Sequence, residues 1–284
     1  MEGQHSAMID LDPLSLCLAG RISAPVALAR LILGGAAPDL IEGRLAGARG
    51  PNAETLRRLL ADRGALGRRA EVGACVDHGA RGRGALAALR DGFDRAAAIS
   101  PEAGVAAYSL GDPELLRAAT EELVAWLAAR GLLRGDVLDL GCGIGRVAAA
   151  LAPRVGSVLG LDIAPRMVAE ARRRHGGSAR FAVTDGTRLA LPDESFDLVL
   201  AVDSVPYLVQ AGVVEYHVAD AARVLRPGGA LAILNLSYRG LDADRADARR
   251  WAALHGLALT CAGEQPFRVW DGRAFLLVKP RAGD

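Results

Sequence analysis

The sequence predicts an α/β fold, a doubly wound and mostly parallel sheet preceded by a helical extension. Two observations predict it. From about residue 130 onward, short apolar runs alternate with helical segments, whereas no convincing strand pattern occurs before that point. Helical intervals between strands are what parallel crossover connections require. We therefore divide the chain into a helical N-terminal domain or lid, residues 1–104, and an α/β domain, residues 105–284.

Short runs rich in apolar and β-branched residues are the strand candidates. They are 137–140, 158–161, 181–184, 198–202, 231–236, 257–261 and 275–278, which predicts a seven-stranded sheet. The first five are apolar along their length, as expected for strands that helices cover on both faces. A short segment containing Asp271-Gly272 joins the last two and leaves no room for a crossover helix. These two strands are therefore expected to form an antiparallel hairpin at one edge.

Helix signals are clear at several points of the chain. Ser23 and Asn52 are expected to cap two helices of the N-terminal segment, and a third apolar-periodic stretch runs from about Gly84 to Ile99. Asp112 is expected to cap a strong helix at the start of the α/β domain. The segment 1–104 carries no chemical motif, and the sequence does not decide between a lid over an acceptor cavity and a homodimerisation module.

Composition and charge exclude several classes of function. The 34 basic and 33 acidic residues give a net charge of +1, so the chain has no overall basic field for nucleic acid or anionic membranes. The N-terminus lacks the basic and apolar regions of a signal peptide, and Arg30 interrupts the most apolar early stretch. The four cysteines are scattered, which predicts a reducing, cytoplasmic location. The lone Cys75–His78 pair is too small a ligand set for zinc, so no metal is expected.

The segment 137–147 has the order strand, glycines, helix, which is typical of a nucleotide-binding loop. A dinucleotide fingerprint would place its third glycine at position 146, where this chain has Arg146. Asp139, two residues before Gly141, would repel a pyrophosphate but favours a ligand with an amino group and a sulfonium. That ligand is S-adenosylmethionine. Asp162 follows Gly141 by about 20 residues, the spacing at which a carboxylate binds ribose hydroxyls.

Four motifs in sequence order extend this pattern: VLDLGCGIGR, LGLDIAPRMVAEAR, TDGTRLALPDESFDLVLA and RVLRPGGALAIL. With them, residues from about 105 to 284 resemble the class I S-adenosylmethionine-dependent methyltransferases of the small-molecule type, with a type 11/25-like domain. The resemblance implies the Rossmann-like methyltransferase fold, whose last strand is antiparallel. It also implies that Asp139 and the glycine loop bind the methionine end of the donor, Asp162 the ribose and Asp185 the adenine amino group.

The donor-binding residues that the resemblance implies lie in or after the first four strands, with one aromatic ahead of them. They are Tyr108, Asp139, Gly141, Cys142, Gly143, Gly145, Asp162, Ile163, Met167, Asp185, Gly186 and Ala201. Tyr108 either covers the donor or makes an ordinary packing contact, and the sequence does not decide between these roles.

Loops after the fourth and fifth strands are expected to face the donor methyl group. They supply the candidate catalytic residues Asp203, Tyr207 and Tyr238. Asp203 is either a base that accepts the acceptor's proton or a cap of the following helix. The predicted function is methyl transfer to a small organic acceptor at oxygen or nitrogen. The alternatives are a catalytically silent donor-binding domain and an RNA methyltransferase, which the scarcity of aromatic residues in the N-terminal segment argues against.

Overall fold

The computed structural model describes residues 12–82, 84–106, 109 and 111–281 of the chain. The described residues before position 107 form helices and no strands, as the sequence predicts. They are α1 (Pro13–Leu18), α2 (Ala24–Leu33), α3 (Pro38–Leu45), α4 (Pro51–Ala61), α5 (Arg63–Cys75), α6 (Ala85–Ile99) and α7 (Pro101–Val105). Helices α1 to α5 share an apolar core of their own, built largely from leucine and alanine side chains.

The starts of α2 and α4 test two predicted caps. Ser23 caps α2, where its hydroxyl accepts a hydrogen bond from a backbone N–H of the first turn, so this prediction is confirmed. The prediction for Asn52 is wrong, because α4 begins at Pro51 behind Gly50. The fixed φ of proline suits the first helical position, so the helix starts at Pro51 and Asn52 lies inside the first turn rather than ahead of it. The Asn52 amide instead donates to the backbone carbonyl of Cys17 at 2.7 Å.

The α/β part begins with α8 (Pro113–Ala129), which Asp112 caps as predicted. The elements that follow alternate between strands and helices. They are β1 (Asp136–Leu140), α9 (Arg146–Leu151), a 3-10 turn (Ala152–Arg154), β2 (Ser157–Asp162), α10 (Pro165–His175), β3 (Arg180–Val183), β4 (Phe196–Val202), α11 (Val205–Ala211), α12 (Val214–Val224), β5 (Leu225–Leu234), α13 (Leu241–His255), β6 (Ala258–Glu264) and β7 (Ala274–Val278).

In the part of the chain that the structure describes, seven strands form one sheet in the order β3-β2-β1-β4-β5-β7-β6. The first five strands along the chain are parallel, and β7 lies antiparallel between β5 and β6. This confirms the doubly wound, mostly parallel sheet and its antiparallel hairpin at one edge. The direction of chain progression reverses between β1 and β4, which is where such sheets form a ligand crevice.

Helices cover both faces of the sheet. Neighbouring residues of β4 show this, because Leu198 belongs to an apolar cluster with residues of α8, α9 and α10, whereas Val199 belongs to one with residues of α11, α12 and α13. Trp251 of α13 and Phe275 of β7 are fully buried on the second face. No helix within the described ranges has the length and apolar character needed to cross a membrane.

Helix α6 joins the N-terminal helices to the sheet. Leu89 packs with the partly buried Phe93 and Tyr207 on the α11 side, and Ala97 packs with Met167 of α10. This contact places α6 above the carboxyl ends of the central strands, so the helical segment forms part of the surface around the crevice.

Candidate active site

A cavity of about 720 Å³ lies at the carboxyl ends of the central strands, where the strand order reverses. One wall comes from the loops that follow β1, β2, β4 and β5. Further lining residues come from α2, α5, α6 and α7. A cavity of this size can hold a nucleoside together with a small organic molecule.

The loop between β1 and α9 is shaped for close approach of a ligand. Gly141, Gly143 and Gly145 have φ values of 79°, 52° and 77°, in the left-handed region that favours glycine. A Cβ atom on Gly141 would lie 2.3 Å from the Cβ of Ser204, and one on Gly143 would lie 2.5 Å from a methyl group of Val105. No larger residue fits at these two positions without moving its neighbours.

Asp139 of β1 is a buried carboxylate, with 2% of its surface exposed, and it lines the cavity. Its Oδ2 atom has no hydrogen-bond partner among the described residues. Burial raises its pKa to about 7, partly opposed by the charge of Arg146 and assisted by that of Asp162. A buried acceptor without a partner is costly, so this site fits a ligand that brings an ammonium group to it. The amino group of S-adenosylmethionine meets this requirement.

Asp162, the last residue of β2, holds the glycine loop. Its two carboxylate oxygens accept hydrogen bonds from the backbone N–H of Gly143 at 2.8 Å and from that of Ala164 at 2.9 Å. Burial raises its pKa, and the backbone N–H groups oppose this rise. Because each carboxylate oxygen can accept two hydrogen bonds, this carboxylate can still accept one from a ribose hydroxyl.

The structure brings most of the predicted donor-binding residues to one cavity. Those that line it are Asp139, Gly141, Cys142, Gly143, Asp162, Ile163, Met167 and Gly186. Gly145 and Ala201 are not among its described lining residues: Gly145 caps α9, and Ala201 is buried inside β4. Tyr108 lies outside the described residues. The donor contacts assigned to all these residues stay predictions.

Asp185 is exposed and is also absent from the described lining of the cavity, although its neighbours Thr184 and Gly186 belong to it. Its Oδ1 accepts hydrogen bonds from the backbone N–H and the hydroxyl of Thr187, both at 2.8 Å. These bonds lower its pKa. The predicted contact with the adenine amino group stays a prediction, and Asp185 would reach it only from the rim of the cavity.

Asp203 follows β4 and lines the cavity beside Asn235, which follows β5. Burial raises the pKa of Asp203 to about 6. The hydrogen bond from Asn235 opposes this rise, the charge of Asp271 adds to it, and the charge of Arg146 opposes it. The alternative prediction, a helix cap, is wrong. Ser204 is the N-cap of α11 and makes no side-chain cap bond, and the Asp203 carboxylate is bound to Asn235 instead.

Aromatic rings lie around Tyr207 in the cavity. The ring centroids of Phe93, His78 and Tyr238 lie 5.0, 5.9 and 6.5 Å from that of Tyr207. Burial, reinforced by the charge of Asp203, raises the pKa of the Tyr207 hydroxyl, so it stays protonated and can donate a hydrogen bond. The three predicted acceptor-side residues, Asp203, Tyr207 and Tyr238, thus line one cavity.

Sequence reasoning missed several polar residues of this cavity, among them Arg69, His78 and Asn235. Arg69 lies on α5 and is only 4% exposed, and burial lowers its pKa. Its helix reads RGALGRRAEVGAC, in which no apolar stripe marks a buried face. The spacing of Cys75 and His78 resembles half of a metal site and carries no signal that His78 lines a cavity. Asn235 falls inside the predicted strand run 231–236, whereas β5 ends at Leu234; a polar residue directly after the apolar residues 230–234 is the signal that could have found it.

Comparison with protein families decides the class of the domain. Residues 137–229 match the family described as a methyltransferase domain. This part of the chain is a methyltransferase domain. The match begins in β1 and ends in β5, so it includes the glycine loop, Asp139, Asp162 and Asp203. It confirms the resemblance to the class I S-adenosylmethionine-dependent methyltransferases that the four motifs predicted.

Two curated relatives illustrate the similarity. The demethylmenaquinone methyltransferase of Tropheryma whipplei is 34% identical over 155 residues, which are 54% of this chain and 60% of that protein. The 2-methyl-6-phytyl-1,4-hydroquinone methyltransferase of Synechocystis sp. is 37% identical over 106 residues, which are 36% of this chain and 32% of that protein. The methyltransferase domain thus has relatives named for methyl transfer to small organic molecules, but the chain spans less than two thirds of the length of either.

Solved structures share the fold. Magnesium protoporphyrin IX methyltransferase from Synechocystis, with bound S-adenosylmethionine, aligns with a TM-score of 0.54 and 22% identity over 70% of this chain and 97% of that chain. Phosphoethanolamine N-methyltransferase 1 of Haemonchus contortus aligns with a TM-score of 0.55 and 16% identity over 70% of this chain and 50% of that chain. At these identities the likeness concerns the fold, and it confirms the Rossmann-like methyltransferase fold.

Proposed function

We propose that this protein transfers a methyl group from S-adenosylmethionine to an oxygen or nitrogen atom of a small organic acceptor. One observation carries the proposal: the unpartnered carboxylate oxygen of Asp139 and the carboxylate of Asp203 belong to the same cavity. The first suits a cationic donor, and the second suits an acceptor that loses a proton. The relatives named above, which are methyltransferases for small molecules, support this assignment.

On the donor side, the chain supplies shape and charge. Asp139 binds the amino group, Gly141 and Gly143 let the backbone approach the methionine end, and Asp162 binds the ribose hydroxyls. When bound, S-adenosylmethionine supplies an activated methyl group, so alignment and exclusion of water are the protein's main contributions. Glycine at both positions allows the positive φ of the loop and its close packing against Ser204 and Val105.

On the acceptor side, Asp203 takes up the proton that a hydroxyl or amine releases when it is methylated. With a pKa of about 6, it is mostly a carboxylate at neutral pH and is well matched to accept a proton there. Asn235 orients this carboxylate through the hydrogen bond between their side chains. The protonated hydroxyl of Tyr207 donates a hydrogen bond to the acceptor.

We also propose that the N-terminal helices act as a lid. Residues of α5, α6 and α7 line the cavity, and Val105 at the end of α7 lies against Gly143 of the glycine loop. Covering the reacting groups excludes water from the transfer. The domain boundary near residue 104 and a homodimeric assembly remain predictions of the sequence.

The proposed partner is a small molecule rather than a nucleic acid, and the proposed location is the cytoplasm. The four cysteines Cys17, Cys75, Cys142 and Cys261 are free thiols, which is the usual state of cysteines in a reducing compartment. Burial raises the pKa of Cys142, so this thiol of the glycine loop stays protonated and is not proposed as a nucleophile.

Calorimetry on the full chain tests the proposal. We expect S-adenosylmethionine and S-adenosylhomocysteine each to bind at one site. Asp162→Ala should weaken both at least tenfold because ribose hydroxyls lose their partner. The exposed control Asp91→Ala should leave both affinities unchanged. Folded protein that binds neither compound would contradict the donor assignment.

A second measurement tests the reaction itself. The protein is incubated with S-adenosylmethionine and a panel of small phenols, hydroxy acids and amines, and S-adenosylhomocysteine formation is followed by mass spectrometry. At least one acceptor should raise the rate well above that without acceptor. Donor binding with no acceptor-dependent product would instead identify a catalytically silent donor-binding domain.

A further inference from the structure

The first turn of α10 is capped by a residue of another helix. Ala164 stands at the N-cap position of α10, and its methyl side chain cannot accept a hydrogen bond. Pro165 follows and has no backbone N–H. The next backbone N–H, that of Arg166, donates to Oδ1 of Asp94 on α6 at 2.7 Å. Asp94 therefore takes the role of the missing cap, and its negative charge suits the start of a helix.

This turn of α10 comes directly after Asp162, the proposed ribose-binding carboxylate. Oδ1 of Asp162 accepts a hydrogen bond from the N–H of Ala164 at 2.9 Å, and Oδ2 accepts one from Gly143 at 2.8 Å. Burial raises the pKa of Asp162, and the charge of Asp94 adds to this rise, so the two carboxylates lie within electrostatic range of each other. The first turn of α10 is thus bonded both to the proposed donor site and to the helical segment.

Further contacts continue this junction between the helical segment and α10. Met167 is 2% exposed and lines the cavity, and a Cβ atom on Gly104 of α7 would lie 2.8 Å from its terminal methyl group. Near the other end of α10, the Arg174 guanidinium donates to the Glu102 carboxylate at 2.7 Å. Helix α10 is therefore the element of the α/β domain on which α6 and α7 rest beside the cavity.

We propose that Asp94 is the latch of the lid. Its bond to the Arg166 N–H holds α6 on α10, and this bond breaks each time α6 moves away to let the donor enter or the product leave. The latch rests on the function proposed above, in which Asp139 and Asp162 bind the donor. A latch that holds the filled and the empty cavity closed alike slows entry and release together, so it sets the rate of donor exchange rather than the affinity.

The hydrogen bond to the backbone, rather than the ion pair, is the effective part of this contact. Nε of Arg166 lies 3.2 Å from Oδ2 of Asp94, but 65% of that arginine side chain is exposed. Exposed ion pairs contribute little because water and salt screen them. The backbone bond instead satisfies a helix N–H, and loss of such a cap shifts an equilibrium by about 2- to 30-fold.

Surface plasmon resonance on the immobilised full chain measures both rates, with S-adenosylhomocysteine as the probe. Asp94→Ala should raise the association and dissociation rate constants by about fivefold or more each, while Kd changes less than about threefold. Asp94→Asn, whose side-chain oxygen can still accept the Arg166 N–H, should bring both constants most of the way back to wild type. Arg166→Ala removes the ion pair alone and, like the exposed α6 control Asp91→Ala, should leave both within about twofold of wild type.

The two rate constants decide the outcome. If they do not rise together in Asp94→Ala, the proposal is overturned; a rise in dissociation alone would identify Asp94 as a support of the donor site and not as a latch. Rates in Arg166→Ala as fast as those in Asp94→Ala would also overturn it, because the ion pair would then be the effective contact.

The wild type provides a test that needs no variant, so a folding defect of Asp94→Ala does not leave the proposal open. Trp270 lines the cavity, and its fluorescence can follow binding in stopped-flow mixing. The observed rate should level off at high S-adenosylhomocysteine concentration, because lid opening becomes limiting. A linear rise up to the solubility limit would overturn the latch. Failure of the wild type to bind S-adenosylhomocysteine would instead contradict the proposed function, so the two failures are distinguishable.

Discussion

Asp203 and Asn235 stand at the ends of the neighbouring strands β4 and β5, and the Asn235 amide nitrogen donates to Oδ1 of Asp203 at 2.7 Å. Both residues have left-handed backbone conformations, with φ values of 57° and 72°. Each such conformation costs about 1–3 kcal/mol and persists only where the surrounding structure enforces it. Asp203 and Asn235 both have this conformation and are joined by a side-chain hydrogen bond. The surrounding structure therefore fixes the position of the Asp203 carboxylate.

Asn235→Gly tests that pairing through the pH dependence of catalysis. Glycine adopts the positive φ without strain but removes the donor that lowers the Asp203 pKa. The acid limb of kcat/KM, which we expect near pH 6 in the wild type, should therefore move to higher pH. Activity at pH 6 should fall several-fold while activity at pH 8.5 changes less than twofold. An unmoved acid limb would show that the amide does not act on the base.

Asp203→Asn should remove the proton acceptor without disturbing the donor site. Loss of a general base lowers kcat by about 10²–10⁴-fold. S-adenosylhomocysteine affinity should stay within threefold of the wild type, which calorimetry measures on the same preparation. A kcat within fivefold of the wild type would exclude Asp203 as the base.

Asp139→Asn should stabilise the protein without ligand and weaken donor binding. Burial raises the folded-state pKa of Asp139 from 3.8 to about 7. The folded chain therefore binds more protons than the unfolded chain between these values, and its free energy of unfolding falls as pH rises through them. Removing the charge should raise the free energy of unfolding at pH 8 by roughly 1–3 kcal/mol, with less effect at pH 4.

Urea denaturation at the two pH values measures this effect. Asp91→Asn, which changes an exposed carboxylate of α6, serves as the control and should show no such pH-dependent gain. A destabilising Asp139→Asn at pH 8 would mean that the carboxylate makes a favourable contact within the folded chain.

Gly143→Ala should impair both folding and donor binding. The added methyl group would lie 2.5 Å from Val105, and φ at this position is 52°. We expect the affinity for S-adenosylhomocysteine to fall at least tenfold. Val105→Ala in the same chain should recover part of it, because the collision is relieved but the backbone strain is not. Gly177→Ala, where a Cβ meets nothing within 4 Å, should have little effect.

Strands and the donor loop were predictable because their signals are local. Runs such as 158–161 are apolar on both faces, and β2 (Ser157–Asp162) exceeds that run by one residue at each end. The N-terminal helices were harder to predict. α5 mixes glycine, alanine and arginine without an apolar stripe, so no periodicity marked it, and α3 begins at Pro38 with a short, weakly apolar sequence.

The acceptor side was only partly predictable, because it depends on contacts between distant segments. Position after a strand was enough to select Asp203 and Tyr238. Asn235 lies 32 residues beyond Asp203, and their pairing becomes visible only once β4 and β5 are adjacent. Arg69 comes from another part of the chain, and its burial follows from the packing of α5 and α6 rather than from its own sequence neighbours.

Residues of the N-terminal helices line the cavity, so substitutions in these helices can change which acceptor fits. Arg69, His78 and Phe93 precede the stretch that identifies the family, residues 137–229, and Tyr238 follows it. The family match over that stretch therefore supports the donor site, but it gives little information about the acceptor. Exchange of the leading helices would therefore change the part of the cavity formed by Arg69, His78 and Phe93, and it would also change the contact of Val105 with Gly143.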